Sequence, residues 1–141
     1  MRHKIIIIDD DELLCEEIAN ILKDEGYSVD YFLDPRIGLK QLMTGAYGLL
    51  LLDLKLPGFD GDSVLRLIKR SELKIKTIMI SGSIIAANGD GPVRNLPGII
   101  TAAELAQADA VLAKPFDPEL LLKEIGRLLD GPEIKRPAPS A

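Results

Sequence analysis

The sequence predicts an α/β domain: a parallel sheet with helices packed on both of its faces. Three observations lead there. Short apolar runs alternate with stretches whose apolar residues recur at helical spacing, the pattern of repeated strand–helix units. The runs at 5–8 (four Ile) and 49–52 (four Leu) have no polar alternate, so both of their faces must be buried, as in the middle of a parallel sheet. Asp-Pro occurs twice, at 34–35 and 117–118, where an N-cap carboxylate followed by a ring that pre-sets φ starts a helix.

The elements follow in order. Residues 5–8 form the first strand. A helix from Glu12 to about Glu25 carries Leu14, Ile18, Ile21 and Leu22 on one stripe and stops at Gly26. Residues 27–33 make a second strand with partial alternation. The helix that starts at Asp34-Pro35 runs to about Met43 and ends near Gly45. Residues 47–54 are the third strand. A loop at 57–61 leads into a helix that ends near Arg70, and 75–81 is the fourth strand. The stretch 83–107 is irregular, because Asn88-Gly89-Asp90-Gly91-Pro92 and Leu96-Pro97-Gly98 break a helix. A helix over 101–108 fits there, with Thr101 as N-cap and Glu104 completing a capping box. Residues 110–113 are a short fifth strand. The last helix starts at Asp117-Pro118, buries Leu121, Ile125 and Leu128, and ends at Gly131-Pro132. About five helices are therefore expected. Residues 1–130 read as one domain, and 131–141, with three prolines, as a flexible tail.

Composition narrows the function. A content of 47% hydrophobic and 28% charged residues is that of a soluble globular domain. A net charge of −5 opposes direct binding to nucleic acid, which asks for a basic face. The single cysteine, Cys15, excludes an intramolecular disulfide and suits a reducing compartment; within a helical pattern it reads as a packing thiol. No run approaches the roughly 20 apolar residues of a membrane helix. Met1-Arg2-His3-Lys4 leads straight into the first strand, with no signal-peptide pattern. A cytoplasmic location with no membrane partner is the expectation.

Three islands carry chemistry. Asp9-Asp10 follows the first strand, Asp53 follows the four-leucine run of the third, and Lys114 follows the fifth. In open α/β sheets, ligands sit at the carboxyl ends of the strands. Three carboxylates brought together there repel one another unless a cation compensates. A hard cation such as Mg²⁺ takes oxygen ligands of this kind. With the cation in place, one carboxylate can act as a nucleophile toward phosphorus. Lys114 could pair with a phosphoryl oxygen and Ser81, ending the fourth strand, could donate to another. Asp11 fits an N-cap better than a ligand position.

These residues, in this order, resemble the receiver domain of two-component response regulators. The motifs are Ile-Asp-Asp-Asp-Glu at 8–12, Leu-Asp-Leu-Lys-Leu-Pro-Gly-Phe-Asp-Gly at 52–61, Ile-Ser-Gly at 80–82 and Lys-Pro-Phe at 114–116. The resemblance implies a flavodoxin-like, doubly wound five-stranded sheet of order 2-1-3-4-5. It implies that Asp53 accepts phosphate from a histidine kinase or phosphotransfer protein, a self-catalysed step rather than enzymatic turnover. Asp9 and Asp10 would hold Mg²⁺ together with Asp53 and the backbone carbonyl of Lys55, and Ser81 and Lys114 would contact the phosphoryl group. Output would pass to a downstream protein, with homodimerisation left open.

Two features depart from the family pattern. Val111 stands where receivers usually carry an aromatic ring, three residues before the lysine. The interval from Ser81 to Lys114 is also longer than usual, with the excess in the Gly/Pro-rich stretch 88–98. These departures motivate an alternative, a receiver fold that docks partners without using phosphate. A phosphatase of the aspartate-nucleophile haloacid-dehalogenase type would use Asp9-x-Asp11, but the flanking residues lack the expected context, and Asp53 is followed two positions later by Lys55.

Overall fold

The computed structural model describes residues 4–53, 61–81, 108–113 and 116–130. Five parallel strands lie in the order β2-β1-β3-β4-β5. They are β1 Lys4–Ile8, β2 Ser28–Phe32, β3 Leu49–Asp53, β4 Lys76–Ser81 and β5 Ala110–Ala113. The described helices are α1 Glu12–Asp24, α2 Pro35–Leu42, α3 Gly61–Arg70 and α4 Pro118–Asp130. The doubly wound sheet predicted from the sequence, with its strand order, is therefore present. The helix proposed over 101–108, apart from Ala108 at its end, and the tail at 131–141 lie outside the described residues.

The alternation of side chains along a strand builds two cores from one sheet. Ile5, Ile7, Leu49, Leu51, Ile78, Ile80 and Leu112 face α1 and α4. Ile6, Ile8, Leu50 and Leu52 face the other way, toward Leu42 of α2 and Val64 and Ile68 of α3. That is why neither the Ile run nor the Leu run carries a polar alternate. β2, at the edge, buries only Val29 fully, which explains its weaker pattern.

Capping chemistry fixes where the helices begin and end. Asp11 is extended (φ −94°, ψ 100°) and its carboxylate accepts the Leu14 N–H at 3.1 Å, so α1 starts after it. At the other end Tyr27 N–H donates to Leu22 C=O at 3.1 Å and Gly26 N–H to Lys23 C=O at 3.0 Å. This paired arrangement is a Schellman cap, and it places Gly26 at φ 95°, where a side chain would be strained. The buried stripe of α1 is Cys15, Ile18, Ala19 and Leu22. Leu14 and Ile21, expected in that stripe, sit at its half-buried border. Asp34 caps α2 through Arg36 N–H at 2.9 Å, with Pro35 in the first turn, as the Asp-Pro signal predicts.

Strand ends are shorter than the apolar runs suggest. Tyr47 is buried but precedes β3, because the pairing begins when Gly48 N–H bonds to Lys4 C=O at 2.8 Å and its own carbonyl accepts from Lys76 N–H at 3.0 Å. At this amino-terminal edge the Tyr47 hydroxyl donates to Asp30 Oδ2 at 2.7 Å. Lys4 Nζ stands 3.3 Å from the same oxygen and 5.1 Å from the centre of the Tyr47 ring.

Candidate functional site

Strand register brings the acidic residues together. β1 and β3 are neighbours with Ile8 opposite Leu52, so the next residues, Asp9 and Asp53, stand at one level at the carboxyl edge of the sheet. Parallel strands lie about 4.8 Å apart, close enough for the two carboxylates to share one ligand. Asp10 follows Asp9 in the turn to α1. Carboxylate oxygens of Asp9, Asp10 and Asp53 all lie within 4.8 Å of one another. Asp9 is 2% exposed and Asp53 5%, whereas Asp10 faces solvent.

The backbone holds Asp9 on several sides. Its N–H donates to Phe32 C=O at 3.2 Å, which ties the strand end to β2. Its Oδ1 accepts the Asp11 N–H at 2.9 Å, and its carbonyl accepts the Cys15 thiol at 3.5 Å. Cys15 is fully buried in the α1 core, in keeping with the packing role read from the sequence. Asp11 is the N-cap, as expected, and does not join the cluster.

The remaining site residues are placed by backbone alone. Asp53 pairs with Ile80, so Ser81 is one residue further along β4. Ser81 in turn pairs with Ala113, the last residue of β5, after which the chain continues to Lys114. Lys114 and Lys55 lie outside the described residues. Val111, opposite Met79, is half-buried on β5.

The donor set fits a hard divalent cation. It offers oxygens only, from three carboxylates, two of them removed from water, and such crowding is costly without a compensating positive charge. Two connections escaped the sequence reading. One is the Asp11 N–H to Asp9 bond, which depends on turn geometry. The other is the Lys4–Asp30–Tyr47 cluster at the opposite edge, whose members are scattered along the chain.

Comparison with known proteins agrees with this geometry. The family model described as the response regulator receiver domain matches residues 5–126. The transcriptional regulatory protein DltR of Streptococcus agalactiae is 30% identical over 86% of this chain and 50% of its own length. The response regulator ArlR of Staphylococcus saprophyticus is 34% identical over 89% of this chain and 52% of its own. The chain thus spans about half the length of these curated relatives. Among solved structures, a CheY-like receiver domain protein from Methanospirillum hungatei superposes with a TM-score of 0.75 at 29% identity, covering 92% of this chain and 95% of that one. The response regulator TrrA of Thermotoga maritima, solved in complex with Mg²⁺-BeF, gives 0.73 at 25% identity over 92% of this chain and 100% of its own. Among the described residues, no helix is long and apolar enough to cross a membrane.

Proposed function

The chain belongs to the response-regulator receiver family of two-component systems, and on that footing we propose that it is a phosphoacceptor module working through Asp53. One observation carries the reading: three carboxylates from the ends of two adjacent strands converge within 4.8 Å, two of them buried. Asp9 and Asp10, with Asp53 and the backbone carbonyl of Lys55, would hold Mg²⁺. Once bound, the cation neutralises the carboxylates and the phosphoryl oxygens drawn to them.

An oxygen of Asp53 attacks the phosphorus of a phosphohistidine. A new O–P bond forms and the N–P bond breaks, the imidazole nitrogen leaving with the bonding pair. Asp9, held through Oδ1, would keep the cation close to Asp53. Ser81 and Lys114 are assigned to the phosphoryl oxygens, so catalysis rests on positioning and charge neutralisation. Hydrolysis of the acyl phosphate by water returns the free carboxylate.

The phosphodonor is a histidine kinase or phosphotransfer protein, which has to rest on the rim around Asp53 to deliver its histidine. Apolar surface lies along α1, the helix that follows Asp9 and Asp10. Leu13, in the first turn of α1, is 73% exposed. A cleft of about 400 Å³ between α1 and α4 is lined by Leu14, Ile18, Ile21 and Phe116, with Asp11 and Glu17 among its polar residues. Output passes by protein–protein contact, since the net charge of −5 opposes direct nucleic-acid binding by this domain.

The test is titration with Mg²⁺ and then beryllofluoride, followed by amide NMR. The reading expects Mg²⁺ to move the signals of Asp9, Asp10 and Asp53, and beryllofluoride to bind only when Mg²⁺ is present. No Mg²⁺-dependent change at those residues would overturn it. A second reading, docking without phosphate, is favoured by Val111, an aliphatic side chain with no ring to reorient; it expects partner binding that Asp53→Asn leaves intact.

A further inference from the structure

We propose that Asp11 is a positioning residue for the cation site: it aims the Asp9 carboxylate without ligating metal itself. The proposal rests on the reading of the acidic triad as an Mg²⁺ site.

Asp9 has two carboxylate oxygens, and Oδ1 accepts the backbone N–H of Asp11 at 2.9 Å. That bond fixes the rotation of the carboxylate and so the direction in which Oδ2 points. The Asp11 N–H reaches Oδ1 only while residues 9–11 keep their present turn. Asp11 itself clamps that turn. Its backbone is extended, its Oδ1 accepts the Leu14 N–H at 3.1 Å, and its carbonyl accepts the Cys15 N–H at 3.0 Å as the first bond of α1. Cys15 closes the ring by donating its thiol to the Asp9 carbonyl at 3.5 Å. Asp9 is therefore held at its carboxylate by residue 11 and at its carbonyl by residue 15, and both grips depend on how α1 begins.

Without the cap, the first turn of α1 is free to fray and the Asp11 N–H loses its aim. Outer-shell partners of metal ligands commonly alter affinity by about 10–100-fold when removed, because they orient the ligand. The charge of Asp11 is a separate matter, since any nearby carboxylate draws a cation. The two effects separate cleanly, because Asn and Ser cap nearly as well as Asp and carry no charge, whereas Ala does not cap.

The experiment is calorimetric Mg²⁺ titration of the full chain and of Asp11→Asn, Asp11→Ser and Asp11→Ala, with thermal melting in EDTA as a check on folding. Asn and Ser should bind Mg²⁺ within about threefold of the parent, and Ala about tenfold more weakly. If the Ala variant is unfolded, Asp11→Val, whose branched side chain suits the extended backbone at residue 11 but offers no acceptor, takes its place. An Ala (or Val) variant that melts earlier yet binds Mg²⁺ like the parent makes Asp11 a helix cap only and overturns the proposal. Equal losses in Asn, Ser and Ala would assign the effect to charge and also overturn it. A parent that binds no Mg²⁺ overturns the triad reading itself, and this proposal with it.

Discussion

The hydroxyl of Tyr47 donates a 2.7 Å hydrogen bond to Asp30 Oδ2 at the amino-terminal edge of the sheet, the edge opposite the acidic triad. The bond, followed by the charge of Lys4, outweighs partial burial and holds the Asp30 carboxyl below its ordinary value of 3.8. Burial, and then the bond to Asp30, pushes the Tyr47 phenol up to about 12. For Asp30 the folded value lies below the unfolded one, so its contribution to stability is present above 3.8 and fades as acid protonates the folded carboxylate. For Tyr47 the folded value lies above the unfolded 10.0, so its contribution is present below that pH and is lost as pH rises through about 12. Tyr47→Phe should cost ~0.5–1 kcal/mol near neutral pH, a small figure because Asp30 is substantially exposed. Urea denaturation should show the parent–variant difference shrinking in both the acid and the alkaline window. A pH-independent difference would mean that ring packing, not the bond, is what the substitution removes.

Two helix glycines should respond in opposite ways to alanine. A Cβ on Gly38 would stand 2.8 Å from both Cδ1 and Cγ1 of Ile8 and 3.3 Å from Cβ of Phe32, and Ile8 is fully buried against α2. Overpacking of this kind costs about 1–3 kcal/mol and should outweigh the gain in helix propensity. A Cβ on Gly126 of α4 meets nothing within 4 Å. Gly126→Ala should therefore stabilise by up to about 1 kcal/mol. Thermal melting distinguishes the pair, and a stabilised Gly38→Ala would show that α2 can move away from β1.

Asp10→Ala relieves like-charge repulsion in the triad, so in EDTA the variant should melt no lower, and expectedly higher, than the parent. It also removes a ligand oxygen, so added Mg²⁺ should stabilise it much less. Unchanged Mg²⁺ stabilisation would remove Asp10 from the ligand set.

Leu13→Arg should slow phosphoryl transfer from a protein donor by tenfold or more while leaving the rate with acetyl phosphate unaltered, because Leu13 is exposed in the first turn of α1 and supplies none of the carboxylates of the acidic cluster. Equal slowing with both donors would place the effect in the site rather than in docking.

The fold was readable because its strongest signals are physical necessities. Four consecutive Ile and four consecutive Leu have to be buried on two faces, and each run ends at the edge where ligands gather. Asp34, Asp117 and Gly26 mark helix ends through local hydrogen bonding alone. The triad was readable because Asp9 and Asp53 directly follow such runs and Asp10 is the next residue after Asp9. Boundaries were less so: Tyr47 belongs to the core without belonging to β3, since pairing rather than hydropathy ends a strand. The exchange between Asp9 and Asp11, and the meeting of Lys4, Asp30 and Tyr47, depend on geometry that no single spacing encodes.

The most direct test of the central claim is intact mass after incubation with acetyl phosphate, run with Mg²⁺, with EDTA, and with Asp53→Asn. The account predicts one phosphoryl adduct on the parent in Mg²⁺ and none in EDTA or on the variant. An adduct that survives Asp53→Asn, or one that forms equally well in EDTA, would contradict it.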